Sequence, residues 1–312
     1  MKKNPKKNIQ KTDIGKSSIF QPKLVKKGVR KGQNGKFLVI GGSNLFHSPP
    51  LWAAQLASHF VDLVFVYFPA FINRQIILQS KTFFRNGIVI ESDELEDYVC
   101  EADVILLGPG MKRRGSQIKN SISVKKAKDA LVLPDEGQLT HALTHYLLTK
   151  YPKKKWVIDA GALQELELKD LSSSMIGTPH EGEFSRLFPE SKKESQSQTV
   201  LEKYVSIVGK HPATWLIKRR GIDYVMGKGR APLVIENGNE GLTKGGTGDV
   251  LSTLVGIFYI HNGARLSCAY ASHVLKKTAD DLYREKGPFY TTSELVDRLP
   301  TILWGCISKT QS

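Results

Sequence analysis

Short apolar runs alternate with longer amphipathic or apolar segments along most of the chain. Two neighbouring runs, 215–218 and 223–226, predict a hairpin because only a short polar turn separates them. The other runs are typical of buried strands and lie at 37–40, 63–67, 88–90, 103–107, 155–158, 174–178 and 233–235. The longer segments predict helices at 51–59, 139–149, 250–262, 266–285 and 293–299.

Apolar strands that alternate with helices are typical of an α/β fold. We expect a mostly parallel central sheet flanked by helices on both faces, since such strands must be covered on both sides. The pattern predicts a single domain over 34–312, preceded by a flexible basic arm at 1–33. No run approaches the ~18 apolar residues that a membrane-spanning helix needs.

Four of the predicted strands end in unusual turns. These turns lie at 41–43, 108–110, 159–161 and 178–180, and they are rich in Gly, Pro, Asp and Thr. Turns between strands and helices favour such residues in any case. Ligands of parallel sheets, however, bind at the carboxyl ends of the strands, and glycine lets backbone amides approach them closely. Four such turns together therefore predict one ligand cleft.

The strongest local signal is the glycine-rich segment Gly245-Gly246-Thr247-Gly248-Asp249. It runs directly into residues 250–258, which are apolar all round and predict a buried helix. Unpaired amides and the helix dipole at such a junction favour phosphate oxygens. The chain contains neither the GxxxxGK[ST] pattern nor a GxGxxG that follows a strand, so a Walker loop and a dinucleotide fingerprint are both excluded.

Asp249 has two interpretations at this point. Aspartate is a good helix N-cap, which would make it structural. It is also suited to act as a general base that takes a proton from a substrate hydroxyl during phosphoryl transfer. In that case the amides of 246–248 would stabilise the charge on the transferred group.

Most of the net charge of +15 lies near the N-terminus, so it says little about the predicted cleft. Residues 1–36 hold twelve Lys or Arg residues and one acid, so the rest of the chain carries only +4. We interpret the arm as solubilising rather than as a contact for RNA or an acidic partner, because it has no interleaved aromatic residues. Three scattered cysteines and the lack of an apolar stretch behind the basic N-terminus predict a cytoplasmic protein.

Several segments together resemble one family. Residues 238–253, 178–187 and 157–163 are similar to its GNPGMATGGTGDVLSG, TPHxGEFxRL and VIDADAL motifs, and its LVIGGS and GPG are present at 38–43 and 108–110. Over about 35–299 the sequence resembles the ADP/ATP-dependent NAD(P)H-hydrate dehydratases, a ribokinase-like branch. This resemblance implies a repair enzyme that phosphorylates the C6 hydroxyl of the S epimer of hydrated NADH or NADPH and then eliminates phosphate.

The resemblance also implies roles for individual residues. Asp249 would be the catalytic base and, with Pro49, Gly110 and His180, would bind the hydrated cofactor. Glu183 would orient Mg²⁺ through water, as a hard cation prefers oxygen ligands. Otherwise His180 is a turn-stabilising histidine and Glu183 a solvated acid. The nucleotide, ADP or ATP, would contact Lys218, Arg219, Arg220, Gly245, Gly246, Thr247 and Gly248.

Some positions depart from the family pattern. Ser48-Pro49-Pro50 replaces its GAP, Lys112 replaces the last glycine of its GPGLG, and a gap-free alignment puts Arg219-Arg220 on the Lys-Gly of its LKG. An arginine pair binds phosphate well but fills the space that glycine leaves. Two other readings therefore remain: a sugar or vitamin kinase of the same fold, and a nucleotide-binding or RNA-associated protein that has lost catalysis.

The resemblance implies partners as well. The epimerase domain that is often fused to this family would be supplied by a separate protein, and the assembly would be a homotetramer. Two smaller candidates do not predict a site. His141 and His145 have the spacing of a metal pair, but with no third ligand in view a solvated helix face is favoured. Ser43 is interpreted as a turn residue rather than a nucleophile.

Overall fold

A nine-stranded sheet forms the centre of the protein. The computed structural model describes residues 22–24, 28–70, 79, 81–82, 84–115, 122–192 and 199–308. In these ranges the strands lie side by side in the order β3-β2-β1-β4-β5-β6-β7-β8-β9. Their bounds are β1 Lys36–Ile40, β2 Leu63–Tyr67, β3 Ile88–Val89, β4 Val104–Leu107, β5 Lys155–Ile158, β6 Met175–Gly177, β7 Thr214–Arg219, β8 Ile222–Met226 and β9 Leu233–Glu236.

The sheet is parallel from β3 to β7, and β8 and β9 are antiparallel additions at one edge. The predicted mostly parallel sheet is confirmed, as is the hairpin, in which Trp215 faces Met226. Successive side chains of a strand point to opposite faces. In β1, Phe37 and Val39 accordingly join one apolar core, and Leu38 and Ile40 join the other.

Helices cover both faces of the sheet. Among the described residues they are α1 Ser48–Ser58, α2 Leu95–Glu101, α3 Glu136–Lys150, α4 Ala160–Glu165, α5 Glu181–Leu187, α6 Val200–Val208, α7 Thr247–His261, α8 Ala264–Lys286 and α9 Thr292–Ser308. Helices α1, α7, α8 and α9 bury side chains in the first core, and α2 to α6 do so in the second. Every residue from Val250 to Ile260 of α7 is buried, as its uniformly apolar sequence predicts.

The pattern predicted the long helices better than the short ones. It missed α2, α4, α5 and α6, which have six to nine residues and therefore too few turns to show a helical period. Helix α9 was predicted too short, because it continues through Pro300 to Ser308.

Part of the predicted basic arm lies within the described residues. The main-chain N–H of Lys23 donates to Asn262 Oδ1 over 3.1 Å, and Leu24 packs against the first core. The N–H of Gly32 donates to Asp62 Oδ2 over 2.7 Å. Residues 1–21 and 25–27 lie outside the described residues, so the boundary of the arm stays a prediction.

Candidate active site

The turns at the carboxyl ends of β1, β4 and β5 lie against one another. Ile40 is in register with Leu107, and Leu107 with Ile158, so these strands end at one level. The N–H of Gly42 donates to Pro109 O over 2.7 Å. A Cβ on Gly108 would come within 1.9 Å of Asp159 O, so only glycine fits there. The structure thus brings the predicted turns together at one edge of the sheet.

The glycine-rich segment forms a fixed loop before α7. Gly246, with φ +96°, is the N-cap, and the helix begins at Thr247. The hydroxyl of Thr247 donates to Leu242 O and to Lys244 O over 2.8 and 2.9 Å, and Thr292 donates to Gly245 O over 2.8 Å. These bonds hold the loop in place, so the amides at the start of α7 are positioned in advance.

Asp249 is the third residue of α7 and does not cap it. The interpretation of this residue as an N-cap is therefore wrong. Burial raises the pKa of the Asp249 carboxyl to about 7, with a further contribution from the charge of Asp159 and an opposing one from Lys218. A carboxyl group that titrates near neutral pH is well matched to general-base chemistry.

Lys218, at the end of β7, supplies the positive charge of the site. Its Nζ lies 3.1 Å from Asp159 Oδ1. Burial opposes its charge, but Asp159, Glu183 and Asp249 together raise the pKa of Lys218 above its ordinary value. Lys218 therefore remains an ammonium group beside the loop. Ala160, the residue after Asp159, has φ +46°, a strained conformation of the kind that clusters at functional sites.

His180 and Glu183 cap each other at the start of α5. Nδ1 of His180 accepts hydrogen bonds from the N–H groups of Gly182 and Glu183, over 3.0 and 3.3 Å. Glu183 Oε2 accepts from the N–H of His180, and Oε1 accepts from Gln164. His180 thus has the turn-stabilising role, and its side chain is 60% exposed, with Nε2 3.6 Å from Glu183 Oε1. Glu183 is only 8% exposed, so its interpretation as a solvated acid is wrong.

The predicted substrate side and the phosphate loop adjoin each other through α1. Pro49 lies in the first turn of α1, and a Cβ on Gly110 would come within 3.3 Å of its ring. Trp52, three residues after Pro49, packs over Gly246. His180 and Lys218 are neighbours through an isolated bridge between β6 and β7. The residues that we predicted for the two ligands therefore lie along one edge.

A cavity of about 550 Å³ opens beside the phosphate loop. Five of the seven predicted nucleotide contacts line it: Lys218, Arg219, Arg220, Thr247 and Gly248. The three basic residues differ in their environments. Lys218 pairs with Asp159, Nε of Arg219 lies 2.6 Å from Glu181 Oε1, and Arg220 is exposed. Gly245 and Gly246 form the loop that leads into the helix.

Sequence reasoning missed the side chains at the back of this cavity. Lys276, in the middle of α8, donates to Ile235 O over 2.7 Å and lies 3.4 Å from Asp223 Oδ2, and burial lowers the pKa of its ammonium group. Asn239 accepts from Tyr290 and caps the short 3₁₀ helix Glu240–Thr243. A single lysine within a long helix carries no local signal, so only the packing of α8 against the sheet reveals it.

The two smaller candidates also have defined environments. Ser43 Oγ accepts from the N–H of Phe46 over 3.0 Å, which agrees with its interpretation as a turn residue. The expectation of a solvated face for His141 and His145 is wrong. Their side chains are 2% and 15% exposed, and Glu167 lies beside them as a third potential ligand.

Comparison with known proteins places the chain in a family. The model of the NAD(P)H-hydrate dehydratase family matches residues 37–301. The chain belongs to the NAD(P)H-hydrate dehydratase family. It is 30% identical over 279 residues to the bifunctional NAD(P)H-hydrate repair enzyme Nnr of Methanocaldococcus jannaschii, covering 88% of this chain and 49% of that protein. It is 30% identical over 281 residues to the ADP-dependent (S)-NAD(P)H-hydrate dehydratase of Cenarchaeum symbiosum, covering 88% and 90%.

Solved structures show the same fold at lower identity. A ribokinase-like protein from Enterococcus faecalis superposes with a TM-score of 0.71 at 20% identity, covering 91% of this chain and 92% of that one. The ADP/ATP-dependent NAD(P)H-hydrate dehydratase of Bacillus subtilis, crystallised with ATP/Mg²⁺, gives 0.63 at 17%, covering 91% and 94%. The ribokinase-like fold is therefore confirmed. In the described part of the chain, no helix is long and apolar enough to cross a membrane.

Proposed function

We propose that this protein is an ADP- or ATP-dependent (S)-NAD(P)H-hydrate dehydratase, a lyase that restores hydrated NADH or NADPH. The proposal rests on the junction of Gly246 and α7. There, burial raises the pKa of the Asp249 carboxyl to about 7, close to the ammonium group of Lys218. Membership of the family supports the substrate class. The chain spans about half the length of its bifunctional relatives, such as 49% of the Methanocaldococcus jannaschii protein.

The geometry supports different chemical roles for the residues along the cleft. Asp249 takes the proton from the C6 hydroxyl while that oxygen attacks the terminal phosphoryl group of the nucleotide, whose bond to the remaining nucleotide breaks so that the nucleotide leaves one phosphate shorter. Lys218 and the first amides of α7 stabilise the charge that develops on the transferred group. The C6–O bond then breaks, phosphate leaves with the bonding electrons, and loss of a ring proton restores the double bond. The exposed side chain of His180, together with Pro49 and Gly110, is proposed to contact the hydrated ring.

We propose that Mg²⁺ accompanies the nucleotide. Among the described residues, no three acids of the cleft have ligand atoms within 4.8 Å of one another, so the protein itself offers no preformed cage. Mg²⁺ commonly keeps several waters and binds through substrate phosphates. Both carboxylate oxygens of Glu183 already accept hydrogen bonds, so a contact through water fits this residue better than direct ligation.

Purified protein should restore NADH from the S epimer of its hydrate when ADP or ATP is added. Recovery is measured by the absorbance of reduced nicotinamide, and released phosphate is measured in the same samples. One phosphate per NADH is expected, because elimination follows phosphorylation. A phosphorylated product without recovered NADH would indicate a kinase instead. Nucleotide binding without turnover, at high enzyme concentration and with either nucleotide, would indicate a diverged binding protein.

The pH dependence should report Asp249. A general base acts only when deprotonated, so kcat/KM should fall about tenfold per pH unit below about 7. Lys218 lowers the pKa of Asp249, and Lys218→Met should therefore move this limb to higher pH. Lys128→Met, at an exposed position, is the matched control and should leave the profile unchanged. A profile that is flat from pH 5 to 8 would contradict the assignment.

We further propose a cytoplasmic enzyme that works with a separate NAD(P)H-hydrate epimerase. Cys100, Cys268 and Cys306 all lie in the described part of the chain and form no disulfide there, as is typical of a reducing compartment. The epimerase would convert the R hydrate into the S form that this site accepts. The homotetramer stays a prediction, and so does the solubilising role of the basic arm.

A further inference from the structure

A group of potential metal ligands lies on the second-core face of the sheet. His141 and His145, one turn apart on α3, face Glu167 from the segment that follows α4. One ligand atom from each residue lies within 4.8 Å of those of the other two. Two histidines at i and i+4 with one carboxylate are a common ligand set for zinc and other divalent transition ions.

The ring of His145 is also oriented as that of a metal-binding histidine usually is. Nδ1 of His145 lies 2.9 Å from Asp170 Oδ1, and Nδ1 of His141 lies 3.4 Å from Glu165 Oε2. Metal-ligating histidines almost always pair their second nitrogen with a carboxylate or carbonyl, as His145 does with Asp170, which fixes the tautomer and the ring. Nε2 of His145 is buried and makes no hydrogen bond within the described part of the chain.

The spacing requires only a small adjustment to hold an ion. His145 Nε2 lies 3.7 Å from Glu167 Oε1. Two ligands of a tetrahedral zinc ion stand about 3.3 Å apart, given bonds of roughly 2.0–2.1 Å. Glu167 now pairs with the exposed Lys169, and this ammonium would have to release it. A surface cavity of about 450 Å³ has His145 on its wall and provides a route of entry.

We propose that His141, His145 and Glu167 bind a divalent transition ion of the zinc class, with water completing the shell. Such an ion would tie α3 to the segment between α4 and β6. Because α4 starts directly after Asp159, the ion would brace the strand end that carries the partner of Lys218. The role is structural, and it does not depend on the proposed dehydratase activity.

The test is a zinc titration of the full chain, with any affinity tag removed and in a Cys100→Ser background, since Cys100 is an exposed thiol. Competition with a chromophoric chelator should give one zinc per chain, with a Kd below roughly 10 µM. Zinc at a hundredfold excess over its Kd should raise the Tm by roughly 3–5 °C. Cobalt in place of zinc should give the visible absorption of a tetrahedral site.

Variants distinguish this site from incidental binding. His145→Gln and Glu167→Gln should each weaken zinc at least tenfold, and Asp170→Asn, which positions His145, by about 10–100-fold. His59→Gln, at an exposed position, is the control and should bind as the parent does. If His145→Gln fails to fold, Glu167→Gln at a half-exposed position still decides the question. No zinc bound at 50-fold the expected Kd, or equal affinity in Glu167→Gln and His59→Gln, overturns the proposal.

Discussion

Replacing Asp249 with asparagine should lower kcat by about 10²–10⁴-fold, the usual contribution of a general base. Asparagine keeps the size and shape of the side chain, but its amide cannot accept the hydroxyl proton. The phosphate loop and the cavity beside it do not depend on that carboxylate. Nucleotide affinity should therefore stay within a few-fold of the wild type, which separates loss of chemistry from loss of binding.

The same substitution should not destabilise the fold. The pKa of Asp249 rises from 3.8 to about 7, so the folded state holds the proton more tightly than the unfolded state does. Its contribution to stability is fully present below pH 3.8 and is lost as the pH rises through about 7. An uncharged asparagine avoids that loss, so the variant at pH 8 should melt at or above the wild-type temperature.

Asp97→Asn is the matched control for both measurements. Asp97 is also the third residue of a helix, α2, but it is exposed and lies away from the strand ends. The Asp97→Asn variant loses the same favourable interaction between a carboxylate and a helix dipole, but the substitution lies outside the cleft. Its kcat should equal that of the wild type. If Asp249→Asn retains wild-type turnover, the base is another group and the mechanism proposed here is wrong.

How far the sequence predicts this site differs from residue to residue. The phosphate loop was predictable because glycines before an apolar helix form one continuous local signal. The strand ends were predictable in kind, since parallel strands deliver their turns to one edge. The pairing of Lys218 with Asp159 was not predictable, because β6 lies between β5 and β7 in the sheet. The pattern identified both residues without showing that they neutralise each other.

For His141 and His145, the sequence pattern predicted a solvated helix face, and this prediction was wrong. Read along the chain, His141 and His145 looked like one face of a helix with no third ligand, and a solvated face was favoured. Their neighbours Glu165 and Glu167 lie more than twenty residues away, at the end of α4 and beyond it. Only the packing of α3 against that segment buries the rings. Spacing within one helix could not reveal a partner that tertiary structure supplies.

Gly246→Ala should damage both the fold and the nucleotide site. Gly246 has φ +96°, a conformation that costs an L residue roughly 1–2 kcal/mol. A Cβ there would come within 2.4 Å of the Trp52 ring, so the ring or the loop must move. We expect the Tm to fall by roughly 5 °C or more and nucleotide affinity to weaken at least tenfold, measured by thermal melting and by calorimetric titration.

Gly245→Ala provides a control one residue away. Nothing lies within 4 Å of a Cβ at Gly245, so the free energy of unfolding of this variant should stay within about 0.5 kcal/mol of the wild-type value. A second substitution, Trp52→Leu, separates the two causes of damage in Gly246→Ala. It removes the ring contact but leaves the backbone strain, and so it should restore part of the lost affinity. If Gly246→Ala melts at the same temperature as Gly245→Ala, the loop is not held by Trp52 in the way that the packing of α1 indicates.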